Sequence, residues 1–219
     1  MNVAEVPDNP GGGAQGSGTH LLRALLAANQ PNTCFGFIWD VNTASQAHAA
    51  GTGAMIKVSL GGFADVLHGA PVIAEAYIKI LTDGKFTLVN PMDPGSVGDL
   101  GKMARLIIGS ADVLVGSNRA QTLDAQLFMP HGIDVNSMRI IALKSQQHFR
   151  GGFQEIAGTI IRADTPGLPP ATFRNCPTKI SHGRFGRSTR FLICTMEESG
   201  NWPERAKLRT QIKNNRAHS

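Results

Sequence analysis

Cysteine is scarce in this sequence. The three that occur in 219 residues, Cys34, Cys176 and Cys194, are an odd number, and none has CxxC or CxxH spacing. That excludes a disulfide framework and a zinc knuckle and points to a reducing, cytoplasmic setting. No HExxH, HxH or DxH pair occurs either, so no self-contained metal site is expected and no residue is assigned as a metal ligand. No apolar run approaches the roughly 20 residues of a membrane span. The N-terminus lacks a basic stretch followed by an apolar core, so neither a membrane nor a secretory route is expected. Acidic charge is short in one region only: residues 174–219 hold 10 Lys+Arg against 3 Asp+Glu, a net +7, whereas residues 1–173 hold 11 against 13, a net −2. The pI of about 9.4 therefore belongs to the last 46 residues. Aromatics there are thin (Phe185, Phe191, Trp202), too few for a base-stacking platform, and like-charge runs are ordinarily solvated. Nucleic acid is not an expected partner.

What the chain does have is glycine, concentrated near its start. Five glycines fall in the eight residues 11–18, after Asp8-Asn9-Pro10 and before an apolar-periodic run. The segment follows a short apolar stretch (Val3, Ala4, Val6) and leads into a helix predicted over 20–29 with Leu21, Leu22, Leu25 and Leu26 on one face and Ser17 or Thr19 as its cap. A strand, a glycine-rich turn and a helix start can form an anion-binding concavity from unpaired N–H groups. The spacing is neither the Gly-Lys-Ser/Thr phosphate loop nor GxGxxG. Asp8 and Asn9 stand where a parallel strand would end, a position typical of α/β active sites. The same residues are equally met by a tight turn closing on a capped helix.

At this length the chain suits one domain with a full core, or one domain plus an appendage. Residues 33–40 (TCFGFIWD) read as a buried strand ending in Asp40, and 42–50 as a helix capped by Asn42 or Thr43 and stopped by Gly51. Strand-like runs follow at 54–60, 72–81, 85–89, 104–108 and 112–115. Asp83-Gly84 is a hairpin signal between two of them, and residues 90–98 read as a long surface loop. A short helix is predicted over 123–130, a buried strand over 138–145, a helix over 146–157 and a last strand over 159–163. The expected fold is therefore α/β: a mixed sheet with β-α-β units at both ends and an antiparallel section in the middle. Beyond Pro170 no period is sustained, so residues 1–173 are expected to form the domain and 174–219 a basic, poorly ordered tail.

A second constellation is Lys144-Ser145-Gln146-Gln147-His148, where a strand becomes a helix. In a parallel sheet such segments gather on one edge, so this one and Asp8-Asn9 are expected to share a crevice, with Asp40 as a third member. Lys144 offers a point charge to a polarised oxygen, and His148 a general acid/base or a ligand. A packing or capping role for His148 satisfies the same pattern.

The segments EVPDNPGGGAQGSGTHLLRALL and IIALKSQQHFRGGFQEIA, with GFIWD, AHAAGTGA, SLGG and LTDGKF between them, closely resemble the C-terminal domain of the microcystinase C (MlrC) family of metallopeptidase-like proteins. The resemblance runs in order from Val3 to Leu168 and ends near Thr178. It implies hydrolysis of amide bonds in small or linear peptides with zinc, whose ligands in the family lie mainly in an N-terminal α/β domain that this chain does not include. It also implies that the first strand is shortened. On this reading Asp8, Lys144 and His148 assist catalysis, while Asn9, Gly11, Gly12, Gly13, Thr19, Asp40 and Ser145 line a cleft for a peptide or small amide. A separate N-terminal domain or self-association is then expected, with little activity from the chain alone. Loss of resemblance where the +7 segment begins reads as a frameshifted or otherwise aberrant C-terminus. The alternatives are a non-catalytic module holding an anionic small molecule or peptide, and an inactive gene fragment.

Overall fold

The computed structural model describes residues 1–167 and the backbone of residues 179–185 and 189–195. Its strands in chain order are β1 (Asn2–Glu5), β2 (Thr33–Trp39), β3 (Met55–Leu60), β4 (Val72–Thr82), β5 (Lys85–Thr87), β6 (Val97–Asp99), β7 (Met103–Ile108), β8 (Ala111–Gly116), β9 (Ile140–Leu143), β10 (Ile160–Ala163), β11 (Lys179–Phe185) and β12 (Thr189–Thr195). Three helices accompany them: α1 (His20–Ala28), α2 (Val41–Ala50) and α3 (Arg150–Phe153). Ten strands form one sheet in the order β11-β12-β10-β1-β9-β2-β8-β7-β4-β3. The five from β10 to β8 run parallel. β7, β4 and β3 extend one side antiparallel, and the β11–β12 hairpin joins β10 antiparallel on the other. The expected mixed α/β sheet with an antiparallel section is what forms.

The parallel strands are apolar throughout because both faces are covered. On one face Phe35 and Ile38 of β2 pack with Leu21, Leu22 and Leu25 of α1 and with Ala44 and Ala47 of α2. On the other, Cys34 and Phe37 meet Leu127, Phe128, Phe149 and Phe153. β4 shows the contrasting pattern: Val72, Ala76 and Ile78 are buried while Ile73, Tyr77 and Lys79 face solvent, as for a strand covered on one side. Among the described residues no helix is long and apolar enough to cross a membrane.

Several local expectations are corrected. Asp83-Gly84 does not join paired strands. β4 is already flanked by β3 and β7, and β5 pairs with β6 in a separate two-stranded sheet that also interrupts the expected 90–98 loop. The 146–157 helix is reduced to Arg150–Phe153, consistent with two glycines at its centre. Gly151 and Gly152 lie so close to Asn90 and Asp124 that a Cβ at 152 would fall 2.5 Å from the Asp124 Cβ. The 123–130 helix is two 3₁₀ turns, one capped by the Asp124 carboxylate and the other carrying Pro130. The cap of α2 is Asp40 rather than Asn42 or Thr43. β11 and β12 lie inside the segment 174–219, where hydrophobic periodicity offers no signal for them.

Candidate functional site

β1 and β9 are parallel neighbours, with Ala4 opposite Leu143. The next residues along, Glu5 at the end of β1 and Lys144 just past the end of β9, therefore stand side by side, and Asp8 follows three residues after Glu5. The Lys144 ammonium donates to Glu5 Oε2 at 2.7 Å, Asp8 Oδ2 at 2.6 Å and the Gly18 carbonyl at 2.8 Å, which uses all three of its protons. It also lies 5.5 Å from the Phe35 ring centroid. Lys144 is 1% exposed, and burial alone would lower its pKa. The Glu5 and Asp8 carboxylates outweigh that and hold the group above the usual lysine range, as a cation.

Asp8 is the anchor of the glycine segment. Its two oxygens accept the Gly16 N–H at 2.8 Å and the Gly18 N–H at 2.6 Å. Glycine is required at both: Gly16 has φ +79°, and a Cβ at Gly18 would lie 2.7 Å from Asp8 Oδ2. Four other loop amides are also spent inside the loop. Gly11 N–H reaches Asn9 Oδ1, Gly12 and Ala14 reach the Asn9 carbonyl, and Gly13 reaches that of Pro10. The segment thus turns these N–H groups inward, toward Asp8, Asn9 and Pro10, while Gly11, Gly12 and Gly13 stay exposed at its tip.

Two residues outside the sequence reading complete this ionic hub. Glu5 Oε1 accepts from Thr165 Oγ1 at 2.8 Å, tying in the segment after β10. His68, 1% exposed, places Nε2 3.5 Å from Asp8 Oδ1 and Nδ1 2.7 Å from Asp65 Oδ1. Its hydrogen bond to His68 holds the Asp65 carboxyl below the usual range. The signals were present: a lone acid in an apolar strand for Glu5, and an Asp-x-x-His spacing for the pair.

Thr19 and Asp40 serve as clamps. Thr19 Oγ1 donates to the Ala70 carbonyl at 2.7 Å, and its N–H donates to the His68 carbonyl. Asp40 accepts from Thr43 N–H, Thr43 Oγ1 and Gly61 N–H. Both side chains are buried and fully engaged within the protein. Ser145 and His148 belong to a second, outer group organised by Gln121. The Gln121 amide donates to Ser145 Oγ at 2.8 Å, and its Oε1 lies 3.2 Å from His148 Nδ1, which carries the proton in the matching tautomer. Gln121 also packs against Gly11, where a Cβ would overlap its amide. Gly11, Gln121 and His148 therefore form one surface over the buried Ser145; His148 is exposed, and its Nε2 has no hydrogen bond to the described residues.

The donor set does not suit a metal ion. Among the described residues no three His, Cys, Asp or Glu side chains converge on one point. Where carboxylates do converge, at Glu5 and Asp8, the Lys144 ammonium already occupies the position a cation would take. The same contacts leave Lys144 without a free proton for an external anion.

What these features define is an α/β domain whose central parallel strands end in a buried ionic hub carrying an exposed glycine-rich tip and a histidine. The MlrC C-terminus family matches residues 3–179, and the chain belongs to that family. It is 30% identical over 159 residues to Microcystinase C of Sphingomonas sp, a match covering 73% of this chain and 31% of that protein. A solved structure from Mesorhizobium sp. BNC1 that carries a provisional metallopeptidase assignment shares the fold. Its TM-score is 0.70 at 23% identity, over 78% of this chain and 34% of that one. The chain thus spans about a third of the length of the relatives it matches.

Proposed function

We propose that this chain forms one wall of the substrate cleft in a zinc-dependent peptidase or amidohydrolase of the MlrC type. The observation that carries the reading is the continuity between hub and surface. Asp8 and Lys144, locked to each other and to Glu5, fix the base of the glycine segment. The exposed tip at Gly11 then meets Gln121, Ser145 and His148. On this reading Asp8, Asn9, Lys144 and Ser145 position the wall. Gly11, Gly12 and Gly13 lie along a peptide or small amide substrate, and His148 holds or delivers a proton through Nε2 as the amide bond breaks. Thr19 and Asp40 keep the flanking helices in register. Zinc supplies Lewis-acid chemistry in such an enzyme, and its ligands belong to the part of the relatives' length that this chain does not span. A reducing, cytoplasmic setting goes with this reading, supported by Cys34 as a free, buried thiol.

The test is peptide hydrolysis and zinc content of the purified chain, alone and mixed with a polypeptide covering the rest of Microcystinase C. Turnover in the mixture that falls at least tenfold with His148→Ala supports the reading. Stoichiometric zinc and turnover from the chain alone, or no turnover in any mixture, overturns it.

A further inference from the structure

The turn that carries His68 is built inside out. Asp65 caps the 3₁₀ turn Val66–His68, its carboxylate accepting the N–H groups of both Leu67 and His68 as well as the imidazole Nδ1. The polar residue of the turn, His68, is drawn into the protein against Asp8, and the apolar ones are left in water. Val66 is 92% exposed and Leu67 48%. Nearby, Phe63 is 51% exposed and stands edge-on to Trp39 at 5.5 Å. The segment is not loose. Gly61 N–H is held by Asp40, Gly62 N–H by the Ser17 carbonyl, and the Ala70 carbonyl by Thr19. A polar anchor inside and a fixed apolar tip outside is the reverse of what folding of this chain alone favours, and it matches the anchor side chains of a protein interface.

We propose that Phe63, Val66 and Leu67 form a docking knob for the metal-binding polypeptide that makes up the remaining two-thirds of the relatives' length. This rests on the function proposed above. The occupant follows from two observations together. The matched relatives are about three times as long as the segment they share with this chain, and the knob adjoins the hub. His68 packs against Asp8, its Nε2 3.5 Å from Oδ1, and Thr19 and Ser17 tie the knob to the glycine segment. A polypeptide seated on the knob is thereby placed beside the end of the glycine segment that leads into α1, on the side of the hub.

The experiment measures association of the full chain with the polypeptide covering the rest of Microcystinase C, by titration calorimetry, with sedimentation to report self-association. Val66→Asp and Leu67→Asp each weaken association by about 30-fold or more, with the far-UV spectrum and melting temperature unchanged. Ile73→Asp, on the outer face of β4 with an exposure between those of Val66 and Leu67, leaves it within about threefold. Hydrolysis by the mixture at saturating partner is retained in all three. Association unaffected by Val66→Asp and Leu67→Asp overturns the knob while leaving the proposed function standing. So does finding that the substitutions abolish only self-association. Tight association without turnover overturns the function and leaves the knob.

Discussion

In Lys144→Met the side chain stays unbranched, is one heavy atom shorter and loses its charge. The ammonium it replaces is 1% exposed and makes three hydrogen bonds, two of them to the buried carboxylates of Glu5 and Asp8. Removing one partner of a buried ionic group costs about 3–5 kcal/mol, because the remaining charge is left uncompensated. A domain of this size has about 5–15 kcal/mol to lose. At roughly 2–4 °C per kcal/mol for domains of such length, the melting temperature falls by about 6–20 °C. The assay is thermal and urea unfolding followed by circular dichroism at pH 7. Adding Glu5→Gln removes one stranded carboxylate, and the double variant recovers part of the loss, with a coupling of about 1–3 kcal/mol. The pH dependence has a definite sign. Lys144 is held above its ordinary value of 10.5, so the stabilisation it provides is complete below that pH and is lost as pH rises through the folded-state value. The Lys144 contribution is therefore constant through neutrality and is lost in strong alkali. A cost below about 1 kcal/mol, or no coupling to Glu5, refutes the hub as an electrostatic unit.

Two further outcomes follow from the same structure. Gly36→Ala places a methyl group inside the Phe128 ring and costs about 1–3 kcal/mol by overpacking, whereas Gly12→Ala, with its nearest neighbour 3.7 Å away, is close to neutral; urea midpoints of the two variants decide it. His131 is buried between the Leu127 carbonyl and the Thr82 hydroxyl, and burial holds its pKa below the usual histidine value of 6.5. The unfolded chain therefore binds that proton more readily. Wild-type stability falls as pH drops below 6.5 toward the folded-state value, and His131→Gln flattens this part of the profile in urea titrations at successive pH.

Much of the architecture was legible from local pattern. Unbroken apolar runs such as 33–39 announced strands covered on both faces, the run 72–81 announced a strand, and the return of β-α-β spacing after residue 138 announced a parallel core. Parallel strands also made it predictable that Asp8 and Lys144 would share an edge, since residues following adjacent parallel strands leave the sheet on the same side. Local pattern misled where a neighbour decided the outcome. Asp83-Gly84 has hairpin chemistry, yet β4 had its partners elsewhere. Gln146–Ala157 has helical spacing, yet the close approach of Asn90 and Asp124 to Gly151 and Gly152 accompanies a helix of one turn.

The sequence by itself determined the fold class, the family and the two segments that meet at the strand ends, because each rests on order and spacing along the chain. Only the tertiary structure decided what those segments do on meeting. It showed that Lys144 is spent on Glu5 and Asp8, that the glycine amides turn inward, and that Gln121 bridges Gly11 to Ser145 and His148. It also placed His68, 60 residues from Asp8 in sequence, 3.5 Å from its carboxylate. Whether a buried polar group is free or saturated depends on which acceptors and donors lie within about 3 Å of it in space. Those partners arrive from strands and loops whose separation along the chain carries no record of the contact.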